Sequence, residues 1–526
     1  MHASTIPFNT SSFGANCLGK INKAEELQYQ RRETPDLMPD EVAPTGIAGL
    51  DEVLRGGLPR HQMFFIQGDP GAGKTTLSFQ FLLEGVRRGE KAMYVTLSAS
   101  KGDLKRVARS HGWDLTGIDI YEQFESAVGT DTTLFRPAEI ELAKTVRAIL
   151  DAIEERQPDR VVIDSLGEIR LLSDSVLRYR KQLLALKEFF RDRNITALVL
   201  DDRSNAARDS EVQGLAEGVV ALSVSVPMYG NTKRSVEVVK MRGVAFRGGF
   251  HDFTIEKGGL VVFPRLSASQ HLVSREEGVI KSGIAEMDAL VGGGLERGST
   301  TMIMGPAGVG KSSLALQFAT AAAAAGEHVA FFIFEEHRTI FLKRAASLGF
   351  DLQKLIDAGV MVVHQIDPAE MSTGEFAYEI RKSVEEDEAS ILVIDSLNGY
   401  FNAMPEEHFL TLHLHELLSY LTDAAVTALL IVSQHGALGT VHSPVDVSYL
   451  ADAVILLRYY ETRGGFRRAI SMLKKRTSAH EQSVRDYQLT SKGVRIGPVL
   501  EEFRGILSGM QSTEPLPPHT KPEPTP

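Results

Sequence analysis

Short, uninterrupted apolar runs alternate with longer stretches of mixed polarity along most of this chain. In the first half the runs are MFFIQG (63–68), AMYVTL (92–97), RVVIDS (160–165), TALVLD (196–201) and RSVEVVKMRG (234–243). In the second they are TTMIMG (300–305), HVAFFIFE (328–335), ILVIDS (391–396), TALLIVS (427–433), DAVILLRYYE (452–461) and RRAISMLKKR (467–476). Val, Ile, Leu and Phe without polar alternation predict strands buried on both faces, as in a parallel sheet covered by helices. Strands alternating with helix-length segments predict an α/β, doubly wound class. The last runs of each half leave open an antiparallel addition at one edge.

The pattern occurs twice. PTGIAGLDEVLRGGLPRHQMFFIQGDPGAGKTT begins at Pro44 and returns from Lys281 as KSGIAEMDALVGGGLERGSTTMIMGPAGVGKSS. Gly46 corresponds to Gly283, Asp51 to Asp288 and Lys74 to Lys311, and Asp164 with Asp395 keeps nearly the same spacing. A spacing that holds over so long a span means duplicated domains. The reading is a flexible extension over 1–42, a first domain over 43–264, a linker over 265–278, a second domain over 279–509 and a Pro-rich flexible tail over 510–526.

Each copy carries G-x-x-x-x-G-K-[ST] after an apolar strand and before a plausible helix, which is the context a phosphate-binding loop requires. The glycines let backbone N–H groups converge on phosphate oxygens at a helix N-terminus. The predicted nucleotide-binding residues are Gly68, Gly71, Ala72, Gly73, Lys74, Thr75 and Thr76 in one copy. In the other they are Gly305, Gly308, Val309, Gly310, Lys311, Ser312 and Ser313. Lys74 and Lys311 reach the β- and γ-phosphates of ATP in this reading, and Thr75 and Ser312 ligate Mg²⁺. Asp164 and Asp395, ending RVVID and ILVID, are the predicted carboxylate ligands of the same ion. Alone, an Asp in that place would more readily be read as a loop cap; its pairing with the phosphate loop in both copies favours the ion.

The copies differ where VAFFIFEE ends in Glu335 and Glu336, because the matching MYVTLSAS has Ser98 and Ala99. A carboxylate there can polarise the attacking water, so the second copy is expected to be the better catalyst. Near the end of each module lie the pairs Lys240 with Arg242 and Lys474 with Arg476. On a strand such pairs project from one face. They suit the γ-phosphate of a neighbouring subunit, or are exposed basic residues on an edge strand.

The net charge of −11 gives no general drive toward nucleic acid or anionic membrane. A single cysteine, Cys17, excludes an internal disulfide framework and a Cys-based zinc site. With no signal-peptide pattern and no apolar run of membrane-spanning length, a cytoplasmic protein is expected.

Taken together these residues resemble the KaiC family of duplicated RecA-like ATPases. The carrying segments are TGIAGLDEVLRGGLP, GDPGAGKTT, ARSHGWDL and KMRG, then SGIAEMDALVGGGL, GPAGVGKSS, FEEHR, IDSLN, LADAVILLRYYETRG and FRGILSG, spanning about residues 40 to 510. The resemblance implies two tandem RecA-like P-loop NTPase domains, each a mostly parallel twisted sheet flanked by helices. It also implies a two-tiered homo-hexamer with ATP at subunit interfaces, ATPase activity, and Ser/Thr autokinase activity in the second tier. The family's acceptor pair falls on Ser448 and Tyr449, which makes Ser448 the candidate phosphoacceptor; Ser443 is an alternative. Two departures stand out: Ser98–Ala99 replace the family's first-half glutamates, and a short Pro-rich end replaces the clock-type tail. A KaiB-like or other bacterial signalling protein is the expected partner. Two other classes share the core, a RecA/RadA/DnaB-like DNA-dependent ATPase and a non-catalytic scaffold assembled by ATP. Net negative charge and the lack of an appended DNA-binding module argue against the first, and Glu335–Glu336 against the second.

Overall fold

The computed structural model describes residues 41–123, 138–173, 175–202, 214–227, 230–266, 278–402, 410–434, 449–462 and 464–501. Ser443, Ser448, most of the expected linker and nearly all of both expected tails lie outside the described residues.

Two nine-stranded sheets share one topology. In the first, six strands run parallel in the order Ile118–Glu122, Ala92–Thr96, Arg160–Asp164, Thr196–Asp202, Met63–Gly68, Gly218–Ser225. Lys233–Met241, Phe250–Glu256 and Gly259–Phe263 then continue the sheet antiparallel. In the second, Met361–Gln365, Val329–Ile333, Ile391–Asp395, Thr427–Gln434, Thr300–Pro306 and Ala453–Thr462 are parallel. Gly465–Lys475, Val484–Thr490 and Gly493–Val499 extend it antiparallel. The fold class read from the sequence is the one observed, and the edge addition left open is antiparallel.

The central strands are largely apolar because both faces are covered. Every residue of Met63–Gly68 is buried. Phe64 and Ile66 pack in one core with Leu77 and Phe81 of helix Lys74–Arg87. Met63 and Phe65 point the other way, into a core with Leu183 and Leu186 of helix Val176–Asp192. The second domain repeats this, with Ile303 against Leu314 and Phe318 on one face and Met302 against Leu414 and Leu417 on the other. Burying two faces is what makes these strands legible as continuous runs.

The duplicated motif ahead of each phosphate loop also has a structural cause. Asp51 Oδ1 accepts hydrogen bonds from the Thr45 amide (2.7 Å) and hydroxyl (2.8 Å), and Asp288 Oδ1 accepts the same pair from Ser282 (2.7 and 2.7 Å). Each Asp ties the entering chain to the first turn of a short helix.

Polar contacts join the two domains. Arg381 of the second-domain helix Thr373–Glu385 donates to both carboxylate oxygens of Glu52 (2.8 and 2.9 Å), which Arg247 also approaches at 2.9 Å. Asp252 caps the start of that helix by accepting from the Gly374 amide at 2.8 Å. Three strand ends differ from expectation. The run HVAFFIFE stops being strand at Ile333, where the Phe334 amide turns to donate to the Asp395 carbonyl at 2.8 Å, so Glu335 and Glu336 sit on a loop. Arg242 and Arg476 each lie one residue beyond their strands.

Candidate functional site

Each phosphate loop leaves the C-terminal end of its strand and enters a helix through a left-handed glycine, Gly73 at φ 102° and Gly310 at φ 106°. A Cβ on Gly73 would lie 2.9 Å from Ile255 Cδ1, and one on Gly310 would lie 2.9 Å from Tyr487 Cε1. The antiparallel extension therefore braces the loop, and Tyr487 also donates its hydroxyl to the Gly310 carbonyl at 2.9 Å. Both the conformation and the close approach require glycine. Ala72, Thr76, Val309 and Ser313 are buried.

In the second domain, Lys311 is buried with its Nζ donating to the Pro306 carbonyl at 2.9 Å. Burial pushes its pKa down to about 8, against the opposing pull of Asp395 and Glu335. Ser312 is hydrogen-bonded to Asp395, whose carboxyl is raised above the usual range chiefly by burial. Glu335 accepts from Ser396 Oγ at 2.7 Å. Glu336 is held by Arg344, whose Nη2 lies 2.6 Å away and whose Nε spans both oxygens at 3.1 and 3.2 Å. These residues converge on one cavity of about 390 Å³, lined by Lys311, Ser312, Glu335, Glu336, Arg344 and Asp395. The structure thus separates two glutamates that the sequence presents as equivalent.

The first domain is built differently on the same frame. Lys74 Nζ donates to the carbonyls of Gly68 (2.7 Å) and Asp69 (3.1 Å) and pairs with Asp202 Oδ1 at 2.6 Å. The buried Tyr94 hydroxyl donates to Asp164 at 2.6 Å and is hydrogen-bonded to Thr75 as well. Burial, with Asp164 beside it, holds that phenol well above its ordinary pKa, and burial likewise raises Asp164. At the Glu335–Glu336 position, Thr96 accepts from the Ala99 amide and donates to its carbonyl, closing a turn without a carboxylate. Tyr94 and Asp202 were not singled out from the sequence. Comparing the copies position by position reveals them, since Phe331 and Ser433 stand in their places.

The predicted Mg²⁺ ligands fit a hard cation. Each domain brings one hydroxyl and one carboxylate together, directly for Ser312 and Asp395 and through Tyr94 for Thr75 and Asp164. Among the described residues no group of three or more His, Cys, Asp or Glu could enclose a metal. A cation here would share its coordination with phosphate oxygens and water, as Mg²⁺ does.

The basic pairs lie at the other end of the sheet. Lys240 pairs with Val219, and that residue with Phe65; Lys474 pairs with Val454, and that residue with Met302. Each pair is thus about 10–13 Å of strand short of its own phosphate loop. A bulge precedes each lysine, at Val219/Val220 and Val454/Ile455, and such bulges re-aim side chains. Lys240 and Lys474 donate to the Ala216 and Ala451 carbonyls (2.8 and 2.7 Å), and burial lowers both their pKa values. Arg242 donates to the Gly214 carbonyl at 3.2 Å, and Arg476 to that of Tyr449 at 2.9 Å.

Two doubly wound sheets, each with a phosphate loop at the C-terminal end of its central strand and an acidic strand end nearby, define a tandem RecA-like P-loop protein. A family model described as "ATPase: KaiC" matches residues 43–267 and again residues 280–501, and the chain belongs to that family. The circadian clock protein KaiC3 of Synechocystis sp. is 29% identical over 478 residues, covering 89% of this chain and 94% of that relative. The circadian clock oscillator protein KaiC of Parathermosynechococcus lividus is 28% identical over 479 residues, 88% of this chain and 87% of its own length. Its namesake from Prochlorococcus marinus subsp. pastoris is 27% identical over 504 residues, 93% and 95% of the two chains. Among the described residues no helix is long and apolar enough to cross a membrane.

Proposed function

We propose that this protein binds ATP in both domains and hydrolyses it mainly in the second. We further propose that the second domain transfers the γ-phosphoryl group to Ser448, making a phosphorylation-dependent signalling or timing switch. The observation that carries this reading is the convergence of Lys311, Ser312, Asp395 and Glu335 on one cavity. The loop amides and Lys311 hold the phosphates, and Glu335, oriented by Ser396, takes the proton of the attacking water or serine hydroxyl. Mg²⁺, held by Ser312 and Asp395 and by Thr75 and Asp164, neutralises phosphate charge when bound.

Lys240, Arg242, Lys474 and Arg476 serve the nucleotide of a neighbouring subunit, which their distance from their own loops supports. That arrangement requires a ring, and a homo-hexamer is the assembly proposed. The relatives carry clock names, so a KaiB-like or other bacterial signalling protein in the cytoplasm is the partner class. DNA is not expected as a partner.

The test is purified protein with Mg²⁺ and γ-labelled ATP, assayed for phosphate release and protein-bound label with and without single-stranded DNA. Expected are hydrolysis indifferent to DNA and a label on Ser448 that disappears in Ser448→Ala and Lys311→Ala. Strong stimulation by DNA would point to a nucleic-acid motor, and no turnover to a scaffold. Hydrolysis without label would remove the kinase half of the proposal.

A further inference from the structure

The first domain lacks a carboxylate after the strand Ala92–Thr96, yet it has one that the second domain lacks. Asp202 ends the strand Thr196–Asp202, which lies between the phosphate-loop strand and the strand ending in Asp164. Its register partner is Gly68, the first glycine of the loop. The matching partner of Gly305 in the second domain is Ser433, clamped by Asn398 through 2.6 and 2.9 Å hydrogen bonds to its backbone. Asp202 Oδ1 lies 2.6 Å from Lys74 Nζ, and about half of its side chain is exposed. The loop lysine reaches the γ-phosphate. A solvent-facing carboxylate within contact distance of that ammonium therefore borders the γ-phosphate. The two domains place their acids on different strands: Glu335 follows the strand Val329–Ile333, while Asp202 ends the strand next to the phosphate loop.

We propose that Asp202 is the water-activating base of the first site, so that the first domain is a second, slower ATPase. The proposal rests on the reading that this loop binds ATP. A water oxygen forms a bond to the γ-phosphorus while its proton passes to the Asp202 carboxylate. The bond between that phosphorus and the β,γ-bridging oxygen breaks, and ADP departs with the electron pair. Asp202 then returns the proton to solvent. The exchange of Glu335 for Ser98 and of Ser433 for Asp202 is reciprocal, which a mere loss of activity in the first domain would not require.

The test uses the full chain carrying Lys311→Ala, which silences the second site, with and without Asp202→Asn. Phosphate release is measured at saturating Mg²⁺ and ATP, and the binding of fluorescent ATP and ADP analogues is measured separately. Lys311→Ala should retain slow turnover, and adding Asp202→Asn should lower it roughly 100-fold or more, the scale of a lost general base. Removing a negative charge beside the γ-phosphate should also raise the preference for the ATP analogue over the ADP analogue. A merely structural role would weaken both analogues together, and that result overturns the proposal. So does unchanged turnover in the double variant, or no turnover in Lys311→Ala alone. If the unmodified protein still hydrolyses ATP in those cases, only Asp202 is refuted; no hydrolysis by the unmodified protein refutes the ATPase reading as well.

Discussion

Replacing Glu335 and Glu336 one at a time by glutamine should divide their roles sharply. One oxygen of Glu335 accepts a hydrogen bond from Ser396 Oγ at 2.7 Å, and its charge also acts on Lys311 and Asp395 across the cavity. Glu336 is instead committed to Arg344 through both oxygens. A carboxylate already saturated by a guanidinium is a poor proton acceptor, whereas Glu335 keeps an oxygen for water. Loss of a general base costs roughly 10²–10⁴ in rate, or about 3–5 kcal/mol of barrier. Breaking a partly exposed bidentate pair costs only about 1 kcal/mol, and that cost falls on loop order rather than on chemistry. In an Asp202→Asn background, which slows the first site while leaving its phosphate loop intact for assembly, Glu335→Gln should therefore lower kcat at least 100-fold. Nucleotide affinity should stay within a few-fold. Glu336→Gln should lower kcat less than ten-fold. Phosphate release at saturating ATP and analogue binding measure the two quantities. If Glu336→Gln abolishes turnover while Glu335→Gln leaves it intact, the assignment of the base from these contacts is wrong.

Further outcomes follow from other parts of the molecule. With ATP, light scattering should report a hexamer, and Lys74→Ala should weaken assembly more than Lys311→Ala if, as proposed, first-site nucleotide is hydrolysed slowly and stays between subunits; a monomer at saturating ATP would refute the ring. Glu52→Ala, which leaves Arg381 and Arg247 without their shared carboxylate, should destabilise the domain contact by about 2 kcal/mol. Guanidinium unfolding followed through the single tryptophan, Trp113 of the first domain, reads it out. Burial raises Asp51 from 3.8 to about 6, so the folded state holds this proton more tightly than the unfolded chain does. Its stabilisation is complete below the unfolded value and is lost as pH rises through 6, an effect of up to about 3 kcal/mol. Relative to Asp51→Asn, the unmodified protein should therefore gain stability between pH 7 and 4, and parallel stability curves would show that the carboxyl does not titrate there.

What the sequence determined by itself is whatever is written locally or written twice. Continuous apolar runs identified most of the central strands because a strand covered on both faces tolerates no polar alternation, and the duplication identified two domains. The phosphate loops were readable because glycine is the residue that suits the φ near 100° at Gly73 and Gly310. The strands Ile118–Glu122, Met361–Gln365, Phe250–Glu256, Gly259–Phe263, Val484–Thr490 and Gly493–Val499 escaped because most of them mix exposed or half-buried positions with buried ones, whereas Gly218–Ser225, buried over its first five residues, escaped without that cause. Such segments become strands only when a neighbouring edge supplies their hydrogen bonds. Tertiary structure alone decided that Glu336 belongs to Arg344 and Glu335 to Ser396, and that Tyr94 joins Thr75 to Asp164. It alone brought Asp202 to Lys74 from far along the chain. Apart from the Glu336–Arg344 pair, which spans only eight residues, those pairings depend on strand order, and strand order is set by how the whole sheet buries its two faces, which no local pattern encodes.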